Sequence, residues 1–166
     1  MKNLILMRHG KSSWKDKELA DFDRPLKKRG KRDTPLMGKL LRNEGFEPDI
    51  VISSPAVRCV ETVDALFDSL KISEEMVEYN ADFYHAEVDD YLEALSKLDD
   101  KVKSVLFVGH NPSLETLLQS LTGDIEALST ASAAWIKLSI EDWKQVNDED
   151  LQGKLRDIWS PKQLRD

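Results

Sequence analysis

The apolar positions of this chain fall into short unbroken runs separated by stretches of helical spacing. Leu4-Ile5-Leu6-Met7 is apolar without alternation, the pattern of a strand covered on both faces. It stops on Arg8-His9-Gly10, where glycine lets the backbone turn. Thr34-Pro35 reads as cap and first turn of a helix carrying Leu36, Met37, Leu40 and Leu41 to Gly45. That helix can equally reach back to Lys28, with Pro35 as a kink. Asp49 to Ile52 is a second strand; Ser54 caps and Pro55 opens a helix running to about Leu70. Met76 to Tyr79 is a weak strand, Asp82 to His85 a turn, and Val88 to Leu98 a helix. Ser104 to Gly109 is again apolar on both faces. Asn111 caps and Pro112 opens the helix that ends at Gly123. Ser132 to Ser139 alternates as a strand, Glu141 to Val146 is a short helical piece, and Lys154 to Trp159 is a last strand.

This order of strands and helices predicts an α/β fold. It is a three-layer sandwich with a mainly parallel central sheet and at least one antiparallel edge strand, in one domain over residues 1–166. The polar stretch from Lys11 to Arg24 reads as a loop over the mouth of the sheet. The basic run from Lys27 to Arg32 reads as a solvated helix face.

Composition narrows the function. A net charge of −7 argues against nucleic acid as a partner. A few arginines can still make a local pocket for an anion. The one cysteine, Cys59, permits no internal disulfide and fits a reducing compartment. No apolar run approaches the ~20 residues needed to cross a membrane, and the chain enters its first strand without a signal-like segment. The expectation is a cytoplasmic monomer, or else a small oligomer, without a membrane partner.

Three strand-to-helix junctions carry the chemistry. The first ends on Arg8 and His9, the second places Arg58 one turn into a helix, and the third has His110 before a cap. In a parallel sheet all three lie on one edge, where open α/β sheets hold ligands. Two arginines, two histidines and two helix starts suit a tetrahedral dianion. A metal is a poor fit, because no second ligand stands at helical or hairpin spacing and the arginines repel a cation. Phosphoryl transfer to a histidine nucleophile fits better. It needs no cofactor and no metal.

Arg8-His9-Gly10 resembles the RHG signature of the histidine phosphatase superfamily, which includes the cofactor-dependent phosphoglycerate mutases. Ser53-Ser54-Pro55-Ala56-Val57-Arg58-Cys59-Val60-Glu61-Thr62 resembles its second motif, and Gly109-His110-Asn111-Pro112 its third. The short length, Arg24-Pro25-Leu26 and the stretch Ser129 to Ala133 are most similar to the small SixA-like branch. The resemblance implies a phosphoglycerate mutase-like fold, His9 as the phosphorylated nucleophile, Arg8 and Arg58 as binders of phosphoryl oxygens, and protonated His110 as a transition-state stabiliser. Two positions depart from the pattern. Lys15 stands where mutase-like members carry asparagine, and no carboxylate sits in a recognisable acid motif. Asp82 is the nearest match for a general acid, with Glu87 behind it.

The remaining polar and aromatic residues have blander readings. Ser12 is a possible hydroxyl donor to phosphate in a loop where serines are usually solvated. His85 lies outside the motifs, and Cys59 reads as a small packed residue. Trp14 and Tyr84 line the mouth or cover the sheet, and Trp135 and Trp159 pack at an edge. The leading expectation is a phosphatase acting on phosphohistidine in a protein. Its rivals are a phosphatase of a small phosphorylated metabolite or nucleotide, and a non-catalytic module that binds phosphorylated partners.

Overall fold

The computed structural model describes residues 1–164. Six strands form one sheet in the order β3-β2-β4-β1-β5-β6. They are β1 (Lys2–Arg8), β2 (Ile50–Ser53), β3 (Val77–Tyr79), β4 (Ser104–Gly109), β5 (Ala133–Leu138) and β6 (Gly153–Trp159). β1, β2, β3 and β4 run parallel, while β5 and β6 are antiparallel and close one edge. The unbroken apolar run of β1 is explained by its neighbours. Leu4 and Leu6 enter one core, with Phe83, Tyr91, Phe107, Leu114 and Leu118. Ile5 and Met7 enter the other, with Met37, Leu41, Cys59, Val63 and Leu66. Helices therefore cover both faces: α1 (Lys28–Asn43), α2 (Val57–Asp64) and α3 (Phe67–Leu70) on one, α4 (Val88–Ser96) and α5 (Ser113–Thr122) on the other.

Register fixes what lies at the carboxyl edge. Arg8 is opposite Gly109, and Ser53 is opposite Val108. The chain leaves β1, β2 and β4 at one level, so the three junctions share one rim.

The helix starts differ from the sequence reading in instructive ways. α1 begins at Lys28, with Pro35 inside it. α2 begins only at Val57, capped by the backbone of Ala56, and it stops at Asp64 before the separate turn of α3. Pro55 thus precedes the helix. α5 begins at Ser113 behind a cis Asn111–Pro112 peptide. Asn111 does not cap it, because its side-chain amide donates instead to Glu115 Oε2 at 2.9 Å and Leu128 O at 2.7 Å. Trp135 is not edge packing. β5 is an inner strand, and the indole lies 6% exposed against Phe46 with its N–H on Asn3 Oδ1. Trp159 is on the edge strand. The late helical piece is a 3-10 turn, Trp143–Asn147.

Among the described residues, no helix is long and apolar enough to cross a membrane.

Candidate active site

β1 delivers His9 to the rim with its backbone N–H on Gly109 O, a bond that continues the sheet into the junction. The ring is 7% exposed, and its Nδ1 lies 2.7 Å from the carbonyl of Gly10. A carbonyl only accepts, so Nδ1 carries the proton and Nε2 is left with the lone pair. Burial pulls the His9 pKa down to about 3, and the neighbouring positive groups act in the same direction. The imidazole is therefore neutral at pH 7, the state a nucleophile needs.

His110 faces it with ring centroids 5.3 Å apart. Its Nε2 is 2.8 Å from Ser54 Oγ, and its Nδ1 is 3.3 Å from an Arg58 nitrogen. Guanidinium can only donate, so in the neutral ring Nδ1 accepts and Nε2–H points at the serine. Burial first, and Arg58 next, lower the His110 pKa to about 4. Burial and the neighbouring guanidinium thus keep the free ring neutral; the protonated form expected from the sequence belongs to the site with a phosphoryl group in it.

Ser54 thus does two things. Its oxygen accepts the Ala56 N–H at 3.2 Å, ahead of the helix, and it also fixes His110. Thr62, one turn beyond Arg58, accepts the Gly10 N–H at 3.0 Å and donates to Arg58 O at 2.7 Å. The second motif therefore ties its own helix to the turn after His9. Cys59 is buried and its thiol is pushed up to about 12, so it packs and does not attack.

The two arginines differ in their engagement. Arg8 donates from Nη1 to Leu128 O at 3.0 Å. Arg58, 7% exposed, holds Asp21 twice: Nη1 to its carbonyl at 2.7 Å and Nη2 to its carboxylate at 2.9 Å. Asp21 is the residue that the sequence reading missed. Its carboxylate also meets Arg24 at 3.0 Å and accepts the Tyr84 hydroxyl at 2.7 Å. These partners, the tyrosine first, hold it well below the ordinary carboxylate range. Arg24 lies over the Trp14 ring at 3.2 Å and donates to Ser12 Oγ at 2.6 Å. Arg24-Pro25 was the one local signal for this arrangement, but no periodicity marks a loop contact made across 37 residues.

A cleft of about 780 Å³ opens between these groups. Arg8, His9, Arg58, His110, Ser12, Trp14 and Tyr84 all line it. Asp82 does not line it. The 3-10 turn Ala81–Phe83 sends Phe83 into the core against Tyr91 and Phe107, which leaves Asp82 exposed with its N–H on Asn80. The carboxylates at the cleft are Asp21, Glu87 and Asp89. His85 lines it too, beyond the motifs. Among the described residues, no three His, Cys, Asp or Glu side chains gather where they could hold a metal ion.

Known proteins resemble this chain in sequence and in fold. A family model for the histidine phosphatase superfamily (branch 1) matches residues 4–85. An uncharacterized chloroplastic protein of Arabidopsis thaliana is 30% identical over 153 residues, covering 87% of this chain and 70% of that protein. A solved structure of the protein histidine phosphatase SixA complexed with tungstate superposes with a TM-score of 0.82 at 25% identity, over 98% of this chain and 99% of the other. A structure assigned to a phosphohistidine phosphatase SixA from Agrobacterium tumefaciens gives 0.79 at 26% identity, over 96% and 98%.

Proposed function

Because this chain belongs to the histidine phosphatase superfamily, in its SixA-like branch, and is a phosphatase by that membership, we propose that it removes the phosphoryl group from phosphohistidine in a protein, through a covalent intermediate on His9. The observation that carries the nucleophile is the 2.7 Å contact from His9 Nδ1 to Gly10 O, which leaves Nε2 unprotonated inside a cationic cleft. Nε2 attacks phosphorus in line. The substrate's phosphoimidazole first takes a proton from solvent on its other ring nitrogen; the new N–P bond then forms as the substrate's P–N bond breaks, and the electron pair leaves with a neutral imidazole. Water then attacks the phosphorylated His9, and phosphate departs as Nε2 recovers its lone pair. Arg8 and Arg58 meet the equatorial oxygens, where charge accumulates during transfer. His110 takes up a proton as the anion arrives and adds a donor on the same side. Ser12 offers its hydroxyl hydrogen, since its oxygen already accepts from Arg24.

The choice of leaving group rests on the carboxylates. An alkoxide needs a proton in the transition state. Asp21, the carboxylate beside Arg58, is ion-paired and held ionised. Glu87 and Asp89 are at the exposed rim and Asp82 is away from the cleft. A phosphoimidazole protonated from solvent on its other nitrogen leaves as neutral imidazole with no enzyme acid, so this constellation suits a phosphoramidate better than a sugar phosphate.

The test is hydrolysis of a chemically phosphorylated phosphohistidine protein beside a panel of phosphate monoesters, with acid-quench trapping of the enzyme-bound phosphoryl group. Turnover of the phosphoramidate should exceed that of the monoesters. The His9→Ala variant should lose both turnover and the trapped label, with activity falling by at least about 10³-fold. Turnover of monoesters alone overturns the substrate, and label persisting in His9→Ala overturns the nucleophile.

A further inference from the structure

The charge of this chain is divided in a way that its net value hides. Residues 1–44 hold 13 Lys and Arg against six Asp and Glu, a net +7, whereas residues 45–166 hold 11 against 25, a net −14. The structure gathers part of the positive end beside the cleft. Lys11 lines the cleft, and the Lys27 N–H donates to Lys11 O at 2.9 Å. The first turn of α1 therefore rests on the cleft wall. Lys27, Lys28 and Lys31 are exposed there. Arg29 and Arg32 lie against Asp33 at 3.6 and 3.3 Å, but the three lysines join no ion pair among the described residues.

This arrangement works against the stability of α1. The helix has no acidic residue in its first turn and no side-chain cap, and cations at that end oppose the helix dipole. Departures from local preference of this kind concentrate at functional places. Across the cleft the rim has the opposite sign: Glu87 and Asp89, at the start of α4 in the other layer, line it and are exposed. The cleft mouth is thus polarised from one layer to the other.

Resting on the phosphohistidine reading above, we propose that Lys27, Lys28 and Lys31 form a docking surface for the protein substrate, and that this substrate presents acidic residues on one side of its phosphohistidine. Charge complementarity selects the partner and the polarised rim sets its orientation. Such steering raises encounter rates and weakens with salt.

The experiment uses the full chain and the variant Lys27→Gln/Lys28→Gln/Lys31→Gln with three probes: phosphoimidazole, and two phosphohistidine peptides identical except for four flanking Glu or four flanking Gln. The wild type should show a kcat/KM about 10-fold higher on the Glu peptide at low salt, and 0.5 M NaCl should remove the difference. The variant should lose the preference while its activity on phosphoimidazole is unchanged. Equal use of both peptides by the wild type, or a preference surviving in the variant, overturns the docking surface and leaves the phosphohistidine reading standing. Binding of the unphosphorylated Glu peptide, followed by fluorescence anisotropy, separates the converse case. If it binds the wild type and not the variant while no phosphohistidine probe is turned over, the surface stands and the substrate reading falls. Binding to phosphatidylserine vesicles in preference to the Glu peptide would assign the surface to a membrane and overturn the proposal.

Discussion

At the scale of single residues, the site is organised around one question: which groups hold charge before substrate arrives. His9 and His110 are both neutral, and Arg58 is already engaged by Asp21. Asp21 puts a carboxylate 2.9 Å from Arg58, where a phosphoryl oxygen is expected to bind. Anion entry must therefore contend with a negative charge already in place. At a few ångströms, and with partial solvent screening, one such charge changes anion affinity severalfold. Asp21→Asn is accordingly expected to tighten binding of sulfate, a dianion throughout the working pH range, by about 3- to 10-fold. Isothermal titration at fixed ionic strength measures it. Weaker binding in the variant would instead make Asp21 the brace that keeps Arg58 in position. Asp21 was invisible in the sequence because its partners, Arg58 and Tyr84, are 37 and 63 residues away. Arg8, His9, Arg58 and His110 were legible as a group because each stands at a strand-to-helix junction, and parallel strands bring such junctions to one edge. The neutral state of His110 in the free site was not legible, since burial and the guanidinium beside it are tertiary facts.

At the scale of elements, the strands were easier to read than the starts of the helices. An unbroken apolar run has one explanation in this topology, burial on both faces, and β1 and β4 have it. Caps are ambiguous because a short polar side chain serves whichever partner is nearer. Asn111 was claimed by Glu115 and Leu128, and Ser54 was shared with His110. α1 presents a related conflict at Gly30. A Cβ there would collide with the Lys11 carbonyl and come within 2.9 Å of the Lys11 nitrogen. In an isolated helix, alanine is favoured over glycine by ~1 kcal/mol. Here the obstacle is backbone, which cannot swing aside, and overpacking of this kind costs about 1–3 kcal/mol. Gly30→Ala should therefore lower stability by up to about 2 kcal/mol, the excess of clash over propensity. It should also raise KM, because Lys11 and Ser12 line the cleft. Chemical denaturation and steady-state kinetics read the two effects. A variant as stable as the wild type would show that the α1–Lys11 contact can relax without cost.

At the scale of the whole molecule, the fold keeps two histidines neutral in its interior, and that links function to stability. The unfolded chain holds each near its ordinary pKa of 6.5, while the folded chain lowers them to about 3 and about 4. Between those values the unfolded state binds protons that the folded state refuses. Stability from these two groups is complete above pH 6.5 and declines as pH falls toward 4. Asp21, depressed below the carboxylate range, adds a further loss at still lower pH by the same logic. A dianion in the cleft reverses the sign for the histidines. It favours their charged forms, so binding takes up protons and strengthens as pH falls. The midpoint of thermal unfolding should therefore drop steadily from pH 6.5 to 4.5, and added sulfate should raise it more at pH 5 than at pH 8. Ligand that binds only the folded state shifts the midpoint with its affinity, so the difference between the two sulfate responses measures the coupling. Scanning calorimetry across that range gives both curves. A sulfate response of equal size at pH 5 and pH 8 would mean that anion binding and histidine protonation are independent. The donor role proposed for His110 would then have to pass to the arginines alone.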